Sequence, residues 1–322
     1  MKSLHWISAS LLALALQSVT LTVSAAVNIQ HWTTSHGSEV YFVENHALPI
    51  VDLNVSFPAG YARDTQASSG LASMTHYLMT LTAGGLDEET LTNRFADIGA
   101  VLGGGLDADR ASFKLRTLSH AQASALESFS LILHRPDFPQ AVLDREKSRV
   151  IAGIQEAETE PESIASKAFM QALYGTHPYH LQESGEVATL QAMQAASLQA
   201  FYQQYYSARS AVIAIIGDMT AAQAKVVAEQ LSAGLPQTEA VPPLPAVSAL
   251  EAPSTLRLPH PATQAHIMIG QPGNRRGDPD FFPLYVGNYI LGGGGFVSRL
   301  TEEVREKRGL AYSGYSYFLP MA

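Results

Sequence analysis

The chain has 322 residues, enough for two domains of ordinary size. Hydrophobic residues make up 46% and charged residues 15%, which allows a substantial core and excludes wholesale disorder. The net charge of -9, with no basic run longer than the "REKR" of Arg305 to Arg308, argues against a nucleic-acid partner; the absence of cysteine excludes disulfides and a lipid-modified N-terminal cysteine.

Residues 1–25 read as an export signal. Lys2 gives a positive start, an apolar stretch follows, and "VSA" (Val23 to Ala25) ends it with small residues at the spacing a signal peptidase accepts. Gln17, Ser18 and Thr20 interrupt the run and no basic stop follows, which favours cleavage near Ala25 over a stable membrane anchor. The expectation is a soluble periplasmic protein.

The first domain is expected over residues 26–234. "IVDLNVSF" (Ile50 to Phe57) alternates apolar and polar residues and predicts a half-buried strand. "EVYFVENHALP" before it predicts its partner strand, with a turn at Asn45, and Ser112 to Ser119 predicts another strand. Helices are predicted over Asp87 to Ile98, Ala121 to Leu133, Leu143 to Glu158, Ser163 to Tyr174 and Ala196 to Tyr206. A short buried strand follows over Ser210 to Met219, ending at Gly217, and Thr220 is a reasonable N-cap for another helix.

Residues 235–254 are rich in proline, which breaks helices and sheet ladders alike, and read as an interdomain linker. Residues 255–322 then predict a strand at "QAHIMIG", a helix at "FFPLYVGNYIL", a glycine loop at Gly292 to Gly295, a helix at "FVSRLTEEVREKR" and a strand at "LAYSGYSYF". The glycine loop lacks the following Lys-Ser/Thr of a phosphate loop. "NVSFPAGYARD" and "MIGQPGNRRGD" form a faint internal repeat, which suits two copies of one domain, the second ending mid-domain.

Chemistry concentrates on "GLASMTHYLMTL", residues 70 to 81. Leu71, Met74, Leu78 and Leu81 recur at helical spacing as a buried stripe, with Ser73, His76 and Tyr77 clustered roughly opposite. A helix with two His and a Glu at those three positions would hold a metal. Here one imidazole stands beside two neutral hydroxyls. The default for a lone His of this kind is a hydrogen-bonded or solvent-facing side chain. His177 and His180 of "HPYH" flank a proline turn, and His31, His36 and His46 carry no ligand spacing.

"GLASMTHYLM", "YGTHPYH", "FYQQYYSARSAVIAIIGDM" and "LGGGGFVSRLTEEVREKRGLAYSGYSYF" together resemble the pitrilysin (insulinase) metallopeptidases, or inverzincins, the family that includes mitochondrial processing peptidase. The resemblance implies an α+β fold of tandem processing-peptidase-like domains, each a bent antiparallel sheet with flanking helices, the second copy truncated here. Active members carry H-x-x-E-H on the first-domain helix, two His binding zinc and the Glu serving as base, and a further Glu on a later helix. This sequence departs from the pattern at each position: Ser73, His76 and Tyr77 replace His, Glu and His, and Ala152 and Gly153 replace the later acidic pair. Glu156, Glu158 and Glu160 read as solvated helix charges.

The resemblance also implies that Arg305 and Tyr312, in "REKRGLAY", are the family's Arg/Tyr pair that donates hydrogen bonds to a substrate carbonyl and its developing oxyanion. The implied function is a catalytically silent subunit of a periplasmic zinc peptidase. It would bind extended peptide on a sheet edge, hold no cofactor itself, and pair with a chain that supplies H-x-x-E-H and zinc. Two alternatives stay open: a non-proteolytic peptide-binding or scaffold protein, and an independent zinc endopeptidase with atypical ligands around His76.

Overall fold

The computed structural model describes residues 27–274 and 277–321, so the export segment, and Arg275 and Arg276 of the second repeat, lie outside the described residues. The strands are β1 (Gln30–Thr33), β2 (Glu39–Glu44), β3 (Ile50–Phe57), β4 (Val101–Leu106), β5 (Ala111–Leu118) and β6 (Val212–Gly217). The helices are α1 (Leu71–Met79), α2 (Glu88–Ala96), α3 (Gln122–His134), α4 (Gln140–Ala157), α5 (Pro161–Tyr174), α6 (Val187–Ala192), α7 (Ala195–Tyr205), α8 (Ala221–Ala233) and α9 (Phe281–Asn288). The result is an α+β fold around one six-stranded sheet, in the order β1-β2-β6-β3-β5-β4.

The alternation in β3 does what its sequence predicts. Val51, Leu53, Val55 and Phe57 are buried, while Asp52, Asn54 and Ser56 lie half-buried on the other face. Register carries this pattern across the sheet. Phe42 lies beside Ile215, Ile215 beside Leu53, Leu53 beside Leu115, and Leu115 beside Leu102. Each large apolar side chain in such a row contributes roughly 1.5–3 kcal/mol on burial. The row packs in one core with Phe95, Phe129, Tyr202 and Tyr206 from the helices.

One expected pairing is corrected. β2 precedes β3 in sequence but does not pair with it; β6 lies between them, parallel to β2 and antiparallel to β3. The run "VIAIIG" has few polar residues to turn toward water, so the central position suits it better than an edge. The expected all-antiparallel sheet therefore contains one parallel pair. The turn at Asn45 forms, with its side-chain oxygen accepting from the Ala47 amide at 2.9 Å.

Two helix starts are capped by side chains, Asp87 and, as expected, Thr220. Asp87 accepts from the Thr90 amide at 2.9 Å, and Thr220 and Gln223 form a reciprocal capping box before α8. Asp64, a position the sequence did not flag, caps α1: its carboxylate accepts from the amides of Gly70 at 2.8 Å and Ala72 at 3.0 Å.

The described residues between 235 and 280 carry no helix or strand, and the first part lies strapped along the domain. Ala208 donates to the Pro236 carbonyl, Ser207 to the Thr238 carbonyl, and the Val241 amide to Ser210 Oγ. Beyond it, the strands expected at 264–270 and 310–318 form no ladder among the described residues. An extended segment without a hydrogen-bonded neighbour has nothing to hold it as a strand, and Ile269 is left 92% exposed. The helix expected at 296–308 is replaced by a short 3-10 turn at Gly295–Val297 and a widened π-type turn at Thr301–Glu306. Thr301 Oγ1 donates to the Gly295 carbonyl at 2.9 Å, and the Lys307 amide reaches back five residues to Glu302. The glycine loop is also absorbed in part, Gly292 and Gly293 closing a π-type turn that extends α9.

Candidate functional site

The stripe of α1 decides where Ser73, His76 and Tyr77 point. Met74, Leu78 and Leu81 pack against Leu143 and Ile154 of α4, with Val150 and Ile151 beside them. The face carrying Ser73, His76 and Tyr77 then opens on a cavity of about 330 Å³, lined also by Gly70 and Met74, by Gly105 and Leu106 of β4, by Val150, and by Glu183 and Ser184. The three positions expected from the sequence thus share one cavity. A larger depression of about 700 Å³ lies against α3 around His120, Glu127 and His134. It touches neither α1 nor α4, and His134 is tied through Nε2 to the Leu231 carbonyl at 2.8 Å.

His76 is held on two sides. Its Nε2 lies 3.0 Å from the Ser112 carbonyl, and its ring sits 4.7 Å from that of Phe113. A carbonyl oxygen only accepts, so Nε2 carries the ring proton and Nδ1 is left as an acceptor. Burial pulls the His76 pKa below its ordinary value, against the opposing effect of the Ser112 bond, which keeps the ring neutral near pH 7.

Tyr77 reaches the other way, and its hydroxyl accepts from Arg149 Nη1 at 3.2 Å. The same nitrogen donates to Glu146 Oε2 at 2.7 Å, and Arg145 Nε donates to Glu146 Oε1 at 2.7 Å. Glu146 is 1% exposed, so two guanidinium groups neutralise an otherwise stranded buried carboxylate. Sequence reasoning missed this arrangement. The signal was present, because Glu146 falls on the apolar stripe of α4 between Leu143 and Val150, where a charge needs a partner.

These residues do not fit a zinc ion. His76 offers one free nitrogen, and Tyr77 already faces a guanidinium. Both Glu146 oxygens are taken by arginines, and Ala152 and Gly153 are exposed positions without donor atoms. Arg149 is a resident cation where a divalent ion would need electron pairs, and the two repel. Glu156, Glu158 and Glu160 are exposed, as expected of solvated charges. His177 and His180 belong to a turn at Pro178–His180, with His177 Nε2 on the Pro245 carbonyl at 2.9 Å.

β4 is the outer strand beside this cavity and, among the described residues, pairs only with β5. Its glycines have different reasons. Gly104 has φ of +145°, and a Cβ there would lie 2.1 Å from the Ser112 carbonyl oxygen, so no other residue fits without movement. A Cβ at Gly105 would meet nothing within 4 Å. That glycine leaves open space along the strand edge.

Arg305 and Tyr312 meet in the second half. The Arg305 guanidinium carbon lies 5.2 Å from the Tyr312 ring centroid and 5.2 Å from that of Phe296. Tyr312 is 88% exposed. No hydrogen bond, ion pair or ring contact among the described residues joins this pair to the α1 cavity.

The family model described as Insulinase (Peptidase family M16) matches residues 39–185, and the one described as Peptidase M16 inactive domain matches residues 192–321. The chain is similar to the crystal structure of a peptidase M16 inactive domain from Pseudomonas fluorescens, at 36% identity and a TM-score of 0.83, over 92% of this chain and 72% of that one. It is 24% identical to the "uncharacterized zinc protease YmxG" of Bacillus subtilis, over 90% of this chain and 70% of that protein. It is 25% identical to the "non-peptidase homolog YmxG" of Helicobacter pylori, over 86% of this chain and 64% of that protein. The chain thus spans about two thirds to seven tenths of these proteins' lengths. No described helix is long and apolar enough to cross a membrane. With its two halves matching the two family models, and with 36% identity over 92% of its length to a solved member, the chain belongs to the M16 (insulinase) peptidase family.

Proposed function

We propose that the chain is the catalytically silent subunit of a periplasmic zinc-dependent peptidase. A separate chain supplies H-x-x-E-H, zinc and the general base. This chain contributes a peptide-binding surface and the hydrogen-bond donors Arg305 and Tyr312. The observation that carries the reading is the α1 cavity: helix, cavity and unpaired strand edge are all in place, while the metal donors are gone. Main-chain pairing with the β4 edge would hold extended peptide with little sequence preference. Export, with cleavage near Ala25, and the 235–254 linker belong to the same proposal.

The test is reconstitution. The full chain is purified from its native host together with any co-purifying H-x-x-E-H chain, and hydrolysis of an unfolded peptide is measured. The complex is expected to be active and chelator-sensitive, and each chain alone silent. Arg305→Ala is expected to lower the turnover of the complex by about 100-fold, as for loss of one oxyanion donor. Unchanged turnover with Arg305→Ala would favour a second reading, a non-proteolytic peptide-binding protein. That reading draws support from the stabilised Glu146–Arg149–Tyr77 arrangement, which leaves a well-formed cavity with no chemistry of its own.

A further inference from the structure

We propose that Phe296, carried at the end of the glycine loop, is a positioning residue for the Arg305/Tyr312 pair: its ring holds the Arg305 guanidinium in place beside Tyr312. The inference rests on the reading that Arg305 and Tyr312 are the hydrogen-bond donors to substrate, and adds the residue that aims them.

The argument starts from three side chains in contact. The Arg305 guanidinium carbon lies over the Phe296 ring and over the Tyr312 ring, 5.2 Å from each centroid. A ring face attracts a cation without consuming any of its N–H groups. Among the described residues, the one ion pair of Arg305 runs from Nε to Glu306 at 3.3 Å, and neither Nη has a hydrogen-bond partner. The two rings thus restrain the cation and leave its outer donors free for an incoming carbonyl oxygen. An arginine without such restraint loses more side-chain entropy when it binds, and its donors are not preorganised.

Phe296 is itself held. It sits in the 3-10 turn Gly295–Val297. The Gly295 carbonyl accepts from the Ser298 amide at 3.0 Å and from Thr301 Oγ1 at 2.9 Å, and Ser298 Oγ donates to Thr301 Oγ1 at 3.1 Å. Ser298 is 1% exposed and Thr301 6%, in a half of the chain where most large apolar side chains are exposed. Thr301 opens the turn Thr301–Glu306 that bears Arg305. This buried hydroxyl pair therefore ties the backbone under Phe296 to the backbone under Arg305.

The glycine loop gathers the Tyr312 arm as well. A Cβ at Gly292 would lie 2.4 Å from the Ser316 amide nitrogen, so the loop approaches the segment after Tyr312 more closely than a side chain allows. Asn288 Nδ2 donates to the Ser316 carbonyl at 3.2 Å. Core packing does not account for Phe296, whose side chain is exposed. Its contact with Arg305 does.

The experiment has two readouts. In the full chain labelled with nitrogen-15, the Arg305 Nε–Hε resonance is identified by its loss in Arg305→Lys. It is expected upfield of the exposed arginines, because the rings shield it. Phe296→Leu is expected to move it toward them and to lower its heteronuclear NOE, whereas Phe296→Tyr should leave it in place. Both variants are expected to keep the wild-type thermal midpoint, because the substituted side chain is exposed. In the complex with the co-purifying H-x-x-E-H chain, Phe296→Leu is expected to lower kcat about threefold with KM unchanged, the size of one exposed cation–ring contact. Phe296→Tyr should restore kcat. Placed in an Arg305→Ala background, Phe296→Leu should have no further effect. An unmoved resonance, an unchanged kcat, or a loss that persists in full without Arg305 overturns the positioning role and leaves the donor reading standing. No active complex, or unchanged turnover with Arg305→Ala, overturns the donor reading and, with it, this proposal.

Discussion

Arg149 donates from Nη1 to the hydroxyl of Tyr77, 3.2 Å away, and from the same atom to Glu146 at 2.7 Å. The family resemblance assigns Tyr77 to the position of the second zinc-binding His, and a guanidinium faces that position here. The same guanidinium thus joins Tyr77 to the charge balance of the buried Glu146.

Restoring the motif alone should not restore the metal. The variant Ser73→His, His76→Glu, Tyr77→His and Gly153→Glu is sterically reasonable at its last position, where a Cβ meets nothing within 4 Å. With Arg149 retained it is expected to bind zinc weakly. Adding Arg149→Ala should tighten binding by about tenfold or more, or 1.4 kcal/mol. Isothermal titration with zinc at neutral pH measures this, and equal affinities in the two variants would remove Arg149 from the account.

Glu146 should behave as a buried charge shared by two partners. Arg145→Ala or Arg149→Ala alone leaves one guanidinium in place and is expected to cost about 1 kcal/mol. Removing both strands a carboxylate that is 1% exposed, and the cost should then rise to about 3 kcal/mol, more than the sum of the singles. Urea unfolding of the three variants gives the comparison. Strict additivity would mean that the two pairs do not share a load.

The two adjacent glycines of β4 should separate stability from binding. Gly104→Ala places a methyl on the Ser112 carbonyl at a positive φ, and is expected to lose about 1–3 kcal/mol. Gly105→Val meets open space and should leave stability within about 0.5 kcal/mol, yet weaken peptide binding by crowding the edge. Thermal melts and anisotropy together read both effects. A Gly105→Val protein that binds peptide normally would argue against the β4 edge as the docking strand.

A pH effect is expected at one end of the sheet. His46 bonds Asp218 at 2.7 Å through Nδ1 and Glu44 at 2.9 Å through Nε2, tying the ends of β2 and β6. The bonds to Asp218 and then Glu44 raise the His46 pKa above its ordinary value, so its contribution is full below about pH 6.5 and lost as pH rises through the folded pKa. The bonds from His46 and then Ser119 lower the Asp218 pKa, so that contribution is present above about pH 3.9 and lost as pH falls through the folded value. Stability from the pair should thus peak between these limits. His46→Gln should flatten the pH profile of the melting temperature on its neutral side; an unaltered profile would show the exposed pair contributes nothing.

Much of the first domain was legible in the chain. Strict alternation located β3 to the residue, Thr220 marked the start of α8, and the stripe through Met74 and Leu78 oriented α1. Elements defined by distant partners were not legible. β6 reads as a buried strand but nothing local says it slides between β2 and β3. "VLGGGL" has no strand pattern, and becomes β4 because β5 pairs with it. "QAHIMIG" has the pattern and forms no strand, because no neighbour pairs with it among the described residues.

The candidate site divides along the same line. The amino-acid sequence alone determined that Ala152 and Gly153 bring no side-chain donor and that Ser73 and Tyr77 bring neutral hydroxyls, because a donor atom is a property of residue type. Only the tertiary structure decided what fills the gap. Arg149 and Tyr77 are 72 positions apart in sequence, and Glu183 meets the α1 cavity through a loop packed against Ser69. Charge neutralisation and cavity shape depend on distances across the fold, which no local pattern of residues encodes.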